Sequence, residues 1–245
     1  MIDVLEGPET DYMDFEEEDI EMLSCFLTSY FEDIISETNL WSAFVKVHQR
    51  LYGKVLPFYQ VSEYDEGEIN LVDIRFLIWY FLNAIQQEEF VSPFDDYIMK
   101  SADKVMDLFE NAWEYAPENK QLKAFYTIDE QETDFYVARQ LIDHVLFNSY
   151  LFFPDTQLDL RDSVSDIIEE NRDEEHLLGF LNENHDNRVH NTHTRLLGLK
   201  GQEWVAEILG EQHNLSQYFS AISQKITGYF LNKGQDEETL LLEHI

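Results

Sequence analysis

Apolar residues recur at helical spacing along almost the whole chain, and this periodicity predicts an all-α protein. The densest apolar stretch is LVDIRFLIWYFLNAIQQ, placed at about residues 70–87. Between Ile74 and Ile85 only Arg75 is charged, while Phe76, Leu77, Ile78, Trp79, Tyr80, Phe81 and Leu82 cover every helical face. A helix that is apolar all round is one enclosed by others. Asn70, with Asp73 three residues on, reads as its reciprocal cap. The uncharged run is shorter than the roughly 20 residues that span a bilayer, so this segment is expected to be a buried core helix, with no membrane contact.

Amphipathic stripes flank it on both sides. Ile20, Leu23, Leu27, Tyr30, Phe31 and Ile34 form the first, with Glu16, Glu17 and Glu18 at the positive end of the helix dipole. Leu40, Trp41, Phe44, Val45, Leu51 and Tyr52 form the second, capped by Thr38 or Asn39 and stopped by Gly53. Residues 54–67 read as a loop. Ser92 and Pro93 read as the cap and first turn of a helix carrying Phe94, Ile98, Ala102, Val105, Phe109, Ala112 and Trp113. A short helix is expected at 119–126, then a long one at 133–151 with Val137, Leu141, Ile142, Val145, Leu146 and Tyr150 inward, closed by Pro154. Shorter helices follow at 157–171 and 173–182, and 183–194 reads as a loop. Trp204, Val205, Ile208 and Leu209 lie on a helix ended by Gly210. The last helix runs from Leu215 or Ser216 through Phe219, Ile226, Tyr229 and Phe230 to Gly234, and the closing TLLLEHI resembles the start of a strand. The expected architecture is an irregular orthogonal array of seven to nine helices around a central one. It divides into an acidic arm at 1–18, one domain at 19–234, and a tail at 235–245 that could begin a further domain.

Charge narrows the functions such a body can have. Fifty acidic residues stand against 16 basic ones, a formal charge of −34. That field repels nucleic acid and anionic membranes, and it attracts basic proteins and divalent cations. Residues 1–19 hold nine carboxylates and no basic residue, so no signal peptide is read there and the cytoplasm is the expected compartment. The one cysteine, Cys25, excludes an internal disulfide or a cysteine-based zinc cluster, and its helical position predicts a buried thiol.

Candidate chemistry concentrates in ENHDNRVHNTHT, residues 183–194. His185, Asp186, His190 and His193, with His176 nearby, are ordinary ligand types for zinc, manganese or iron. His144, the adjacent His185 and Asp186, and a later acid such as Asp236 also follow the order of an HD-type metal phosphohydrolase. Such a dyad belongs on an apolar helix, whereas its neighbours here are Asn182, Glu183, Asn184, Asn187 and Arg188, as in a solvated loop. No cofactor is expected, a divalent metal being the alternative. Arg75 is expected to be a structural buried charge with an acidic partner, because a lone buried charge is costly; the alternative is an anion-binding arginine on a pocket floor. Carboxylates are too abundant for spacing to nominate a catalytic pair. There is no phosphate loop around Gly198 to Gly201, no Gly-x-Ser-x-Gly elbow and no EF-hand at Asp65 to Gly67.

The phrases TNLWSAFVKVHQRLYGKVLPFY, INLVDIRFLIWYFLN, EYAPEN and LGLKGQEWVAEILG resemble an uncharacterised family of proteins from Bacteroides-like bacteria. That resemblance implies a bacterial source and a longer parent chain, and it carries no activity or catalytic residues. The function expected is a non-enzymatic protein-interaction module with a strongly acidic surface, binding a basic protein or a second domain of its own chain. Two alternatives stand beside it: a nucleic-acid mimic that occupies a DNA- or RNA-binding protein, and a metal-dependent hydrolase using the His185 loop.

Overall fold

The apolar segment becomes a helix and the amphipathic stripes close around it. In the computed structural model, residues 1–6, 16–85, 90–171, 176–223, 228–236 and 239–245 are described. The elements are α1 (Ile2–Leu5), α2 (Glu17–Ser36), α3 (Leu40–Tyr52), α4 (Leu71–Ile85), α5 (Asp96–Trp113), α6 (Lys120–Phe125) and α7 (Phe135–Asn148). A 3-10 turn (Tyr150–Phe152) and a π-helical segment (Pro154–Leu160) lead into α8 (Arg161–Glu170), α9 (Leu177–Asn191), α10 (Gly201–Leu209) and α11 (Ser216–Ile222). A hairpin of β1 (Phe230–Gln235) and β2 (Leu240–His244) follows. Eleven α-helical segments thus stand among the described residues, more than the seven to nine expected, and the all-α class holds. The expected positions Gln86, Gln87 and Ile226, and residues 7–15 of the expected arm, lie outside the described residues.

On α4, Ile74, Leu77, Ile78, Phe81 and Leu82 are fully buried, each stabilising the fold by about 1.5–3 kcal/mol through lost water contact. α2, α5 and the π-helical segment pack on α4, while α10 joins α3, α7, α9 and α11. Aromatic rings fill the seams: Phe31 stacks on Phe109 at 4.5 Å, and Phe44 on Phe76 at 5.3 Å. Gly201 lies hard against α7, where a Cβ would come within 2.5 Å of Leu146 and 2.9 Å of Ile142. At the beginning of the chain Leu5 is buried, and Tyr97 donates to its carbonyl, so α1 is docked on α5 instead of forming part of a free arm.

Several local expectations are corrected. Asp95, not Ser92, caps α5 by accepting from the Tyr97 N–H; Ser92 takes the Phe94 N–H in the turn before it. Asn70 turns back into the preceding loop, accepting from Asp65 N–H and donating to the Asp65 and Glu68 carbonyls, and it makes only a long contact with Asp73, at 3.5 Å. Pro154 opens the π-helical segment instead of closing α7, a first-turn position where its missing N–H costs nothing. Cys25 is exposed. It lies two residues, about 200° of helix, from the buried Leu23 and Leu27 and so faces away from the core.

The larger corrections concern the second half. Residues 183–191, expected as loop, continue α9. Helix propensities of Asn and His fall short of Ala by only about 0.7 kcal/mol or less, and tertiary contacts override so small a bias. Val189 is fully buried, and Arg188 donates to the Asp159 carbonyl and the Ser163 hydroxyl. The last helix ends at Ile222, so Phe230 belongs to a strand. Phe230 pairs with His244 and Gln235 with Leu240, with a bulge at Lys233. Gly228 permits the closure: a Cβ there would stand 2.1 Å from His244 Nε2. The expected boundary at 235 therefore falls inside the hairpin.

Candidate functional site

Among the described residues, two clusters of ionisable side chains bear on the residues nominated from sequence and on the core, the first partly exposed and the second enclosed. The first is the seam between α7 and α9, where His185 and Asp186, two of the residues nominated from sequence, fall. Arg139, Asp143 and Phe147 succeed one another at four-residue intervals and so share one face of α7. His185 packs on the Phe147 ring at 5.0 Å, with Nε2 3.6 Å from Asp143 Oδ1 and Nδ1 3.4 Å from Arg139 Nη2. The same guanidinium donates to the Asp186 carboxylate and holds it below the usual carboxylate range. Burial pushes Asp143 upward, opposed by the positive charge that His185, Arg139, His144 and His190 can carry.

These contacts fasten α9 to α7. Of the remaining nominated residues, His144 and His190 reach Asp143 only through their charge in the contacts described, and the others lie elsewhere. His144 turns to the other side of α7, where it stacks on Phe125 at 3.7 Å and bonds the Phe125 carbonyl through Nδ1 at 3.0 Å. His190 contributes its backbone carbonyl to Gln202. His193 lies exposed beyond the end of α9, His176 is exposed at its beginning, and Asp236 sits in the hairpin turn. Among the described residues, no group of three or more His, Cys, Asp or Glu side chains is placed to hold a metal ion. The His185–Asp186 pair is on a helix after all, but its near partner on α7 is an arginine.

The second place was not nominated, and it is the more deeply buried. Asp73 in the first turn of α4 is fully enclosed; its Oδ2 accepts from the Tyr30 hydroxyl at 2.9 Å, the Tyr64 hydroxyl at 3.1 Å and Asn70 Nδ2 at 3.5 Å. Its Oδ1 is buried with no hydrogen-bond partner. Burial pushes the Asp73 carboxyl up to about 7 against the pull of these donors. Asp33 on α2 is nearly as enclosed. It accepts from the Thr38 hydroxyl at 2.5 Å, the Leu40 and Trp41 N–H groups at 3.3 and 2.8 Å, and the Tyr150 hydroxyl at 2.8 Å. It thereby caps α3 from the neighbouring helix, the task expected of Thr38 or Asn39. Burial raises Asp33 as well, and it raises the Tyr30 and Tyr150 hydroxyls well above the phenol range. A signal was present: both aspartates interrupt otherwise apolar faces, and tyrosines lie nearby on the same stripes.

Arg75 lies two residues beyond Asp73 at the edge of this core. It donates to Asp103 on α5 at 3.0 Å; the arginine side chain is 20% exposed and its partner 60%. Arg75 is thus only partly enclosed and its acidic partner is exposed, whereas the fully enclosed ionisable side chain on α4 is Asp73. A surface cleft of about 430 Å³ opens between α2 and the end of α7. Phe26, Tyr150 and Phe153 give it apolar walls, Glu18 and Glu21 line it with exposed carboxylates, and among the described residues no lysine or arginine lines it.

Over residues 2–239 the chain matches the family described as protein of unknown function (DUF3843), and it belongs to that family. The resemblance seen in the sequence phrases, to an uncharacterised family, is thus met across nearly the whole chain. No curated protein and no solved structure matches it. Among the described residues, no helix is long and apolar enough to cross a membrane.

Proposed function

We propose that the protein is a non-enzymatic, cytoplasmic interaction module whose acidic surface binds a basic protein or a basic second domain of its own chain. What carries this reading is the fate of the cations. Arg50 is held by Glu207, Arg75 by Asp103, Lys123 by Glu37, Arg139 by Asp186 and Arg195 by Asp159. Each of these five pairs takes up one carboxylate for one cation, so the excess of acidic side chains behind the formal charge of −34 remains, and a basic partner can neutralise part of it. The cleft beside Glu18 and Glu21 offers such a partner a specific seat: apolar walls for the stem of a lysine or arginine, carboxylates for its head.

The test is capture of partners by the immobilised chain, eluted in a salt gradient from about 0.1 to about 1 M, beside a Glu18→Gln/Glu21→Gln variant and an unrelated acidic protein. Basic proteins released by salt, retained by the parent and lost from both controls, are expected. Recovery of the same proteins on the unrelated acidic protein would reduce the binding to ion exchange and overturn the proposal.

A further inference from the structure

The cleft between α2 and the end of α7 is elongated, and its two ends differ. Along α2 its lining runs from Glu18 to Ser29, roughly three turns or about 16 Å of helix. On the opposite wall the Tyr150 hydroxyl donates to the Asp33 carboxylate, one turn beyond Ser29. The end of α7 therefore lies towards the Ser29 end, and Glu18 and Glu21 mark the other. These two carboxylates are exposed and, three residues apart, share one helical face. The last turn of α7 brings the negative end of a 14-residue helix, with no basic side chain in that turn.

Between the ends stand the rings of Phe26, Tyr150 and Phe153, which shelter an alkyl chain from water and draw cations to their faces. Of the aliphatic hydroxyls lining the cleft, Ser29 donates to the Cys25 carbonyl at 2.9 Å and Thr156 to the Phe152 carbonyl at 3.0 Å. Ser149 differs from both. It is 5% exposed, and its oxygen is buried with no hydrogen-bond partner. Such a group is costly to leave unmet, and a ligand N–H can supply the bond.

Carboxylates at one end, an unmet hydroxyl and a helix C-terminus at the other, and rings between them suit a chain that is cationic at both ends and apolar along its length. A lysine has a four-carbon stem and one charge, so a protein side chain seated at Glu18 and Glu21 leaves Ser149 unmet. At about 430 Å³ the cleft has the size of a small-molecule site. We infer that it binds a free aliphatic polyamine, with one ammonium at Glu18 and Glu21 and a second amine at Ser149. The alkylammonium chemistry is shared with the proposed basic partner, but the source is a small molecule.

Isothermal titration calorimetry of the full chain with spermidine tests this at about 0.15 M sodium chloride, which screens attraction to the overall charge. One saturable site per chain is expected, with a dissociation constant of about 10–100 µM. Glu18→Gln/Glu21→Gln should abolish it; both residues are exposed, so this variant keeps the fold. Ser149→Ala should weaken it about tenfold without lowering the thermal midpoint, since the hydroxyl bonds no other group. Glu63→Gln/Glu66→Gln, the same charge change in the exposed loop before α4, should leave it intact. Many weak sites, equal losses in the two glutamate pairs, or full affinity in Ser149→Ala would overturn the inference. So would N-acetyl-lysine methylamide binding as tightly as spermidine, because a single amine would then suffice. Capture of basic proteins is measured without spermidine and succeeds or fails separately.

Discussion

Replacing Asp73 by asparagine removes a buried charge while keeping the side chain's shape. Burial pushes this carboxyl from the ordinary 3.8 to about 7, an interval equivalent to about 4 kcal/mol. The native carboxyl holds its proton more tightly than the unfolded one, so between about pH 4 and pH 7 the folded chain binds the extra proton. Stability contributed at this site is therefore greatest at low pH, falls as pH rises towards about 7, and levels off above it. In the variant, the amide oxygen can accept from Tyr30 and Tyr64 as Oδ2 does now. Its NH₂ takes the place of Oδ1, which has no partner, and an unpaired buried donor costs about 1–3 kcal/mol. Combining these, parent and variant should have similar stability near pH 5, and the variant should be more stable by about 1–3 kcal/mol near pH 8. Urea unfolding of both proteins, followed by tryptophan fluorescence from pH 5 to 8 at constant ionic strength, measures the difference. Asp33 and the other raised acids are common to both and cancel. A difference that stays constant within about 1 kcal/mol across that range would show that Asp73 does not carry the titration and would refute the argument.

Gly201→Ala should lower stability by about 1–3 kcal/mol, because the added methyl meets Leu146 and Ile142; a neutral result in chemical denaturation would mean that α7 and α10 can part at no cost. Arg75→Met should change the unfolding free energy by less than about 1 kcal/mol, as for other pairs with an exposed partner; a loss above about 2 kcal/mol would restore Arg75 to the role of structural buried charge. A peptide of residues 176–192 should be largely unstructured by circular dichroism, since α9 is held by contacts from α7 and α8 and is short for an isolated helix. Substantial helicity in that peptide would place the cause in the local sequence instead.

Elements that bury a continuous apolar stripe were legible in the sequence. α2, α4, α5 and α10 form where the period predicts, because each is stabilised mainly by its own face against the core. α9 was not legible, because a nearly all-polar helix is indistinguishable from a loop until the groups that hold it, Phe147, Asp143 and Asp159, are placed beside it. Asp33 escaped for a related reason. Its acceptors serve the next helix and a tyrosine far along the chain, and neither relation has a short-range signature. His185 and Asp186 were nominated as metal ligands from their own short window, yet the partner they meet in the fold, Arg139, lies 46 and 47 positions away. The hairpin was half visible: its second strand has the composition of one, whereas β1 continues an apparent helical stripe that in the structure ends at Ile222.

The two enclosed aspartates bear on how the chain acquires its structure. Asp33 waits for a hydroxyl 117 positions further on, and Asp73 for one 43 positions earlier. During synthesis, residues 1–100 emerge with the Asp73 partners in hand but without Tyr150, so the α2–α3 corner must keep Asp33 in contact with water. Sealing that corner becomes favourable only when the segment after α7 arrives. The N-terminal helices therefore should not settle as an independent unit ahead of the rest, and completion of the core should be a late, long-range step, slower than the abundance of local helical contacts would suggest.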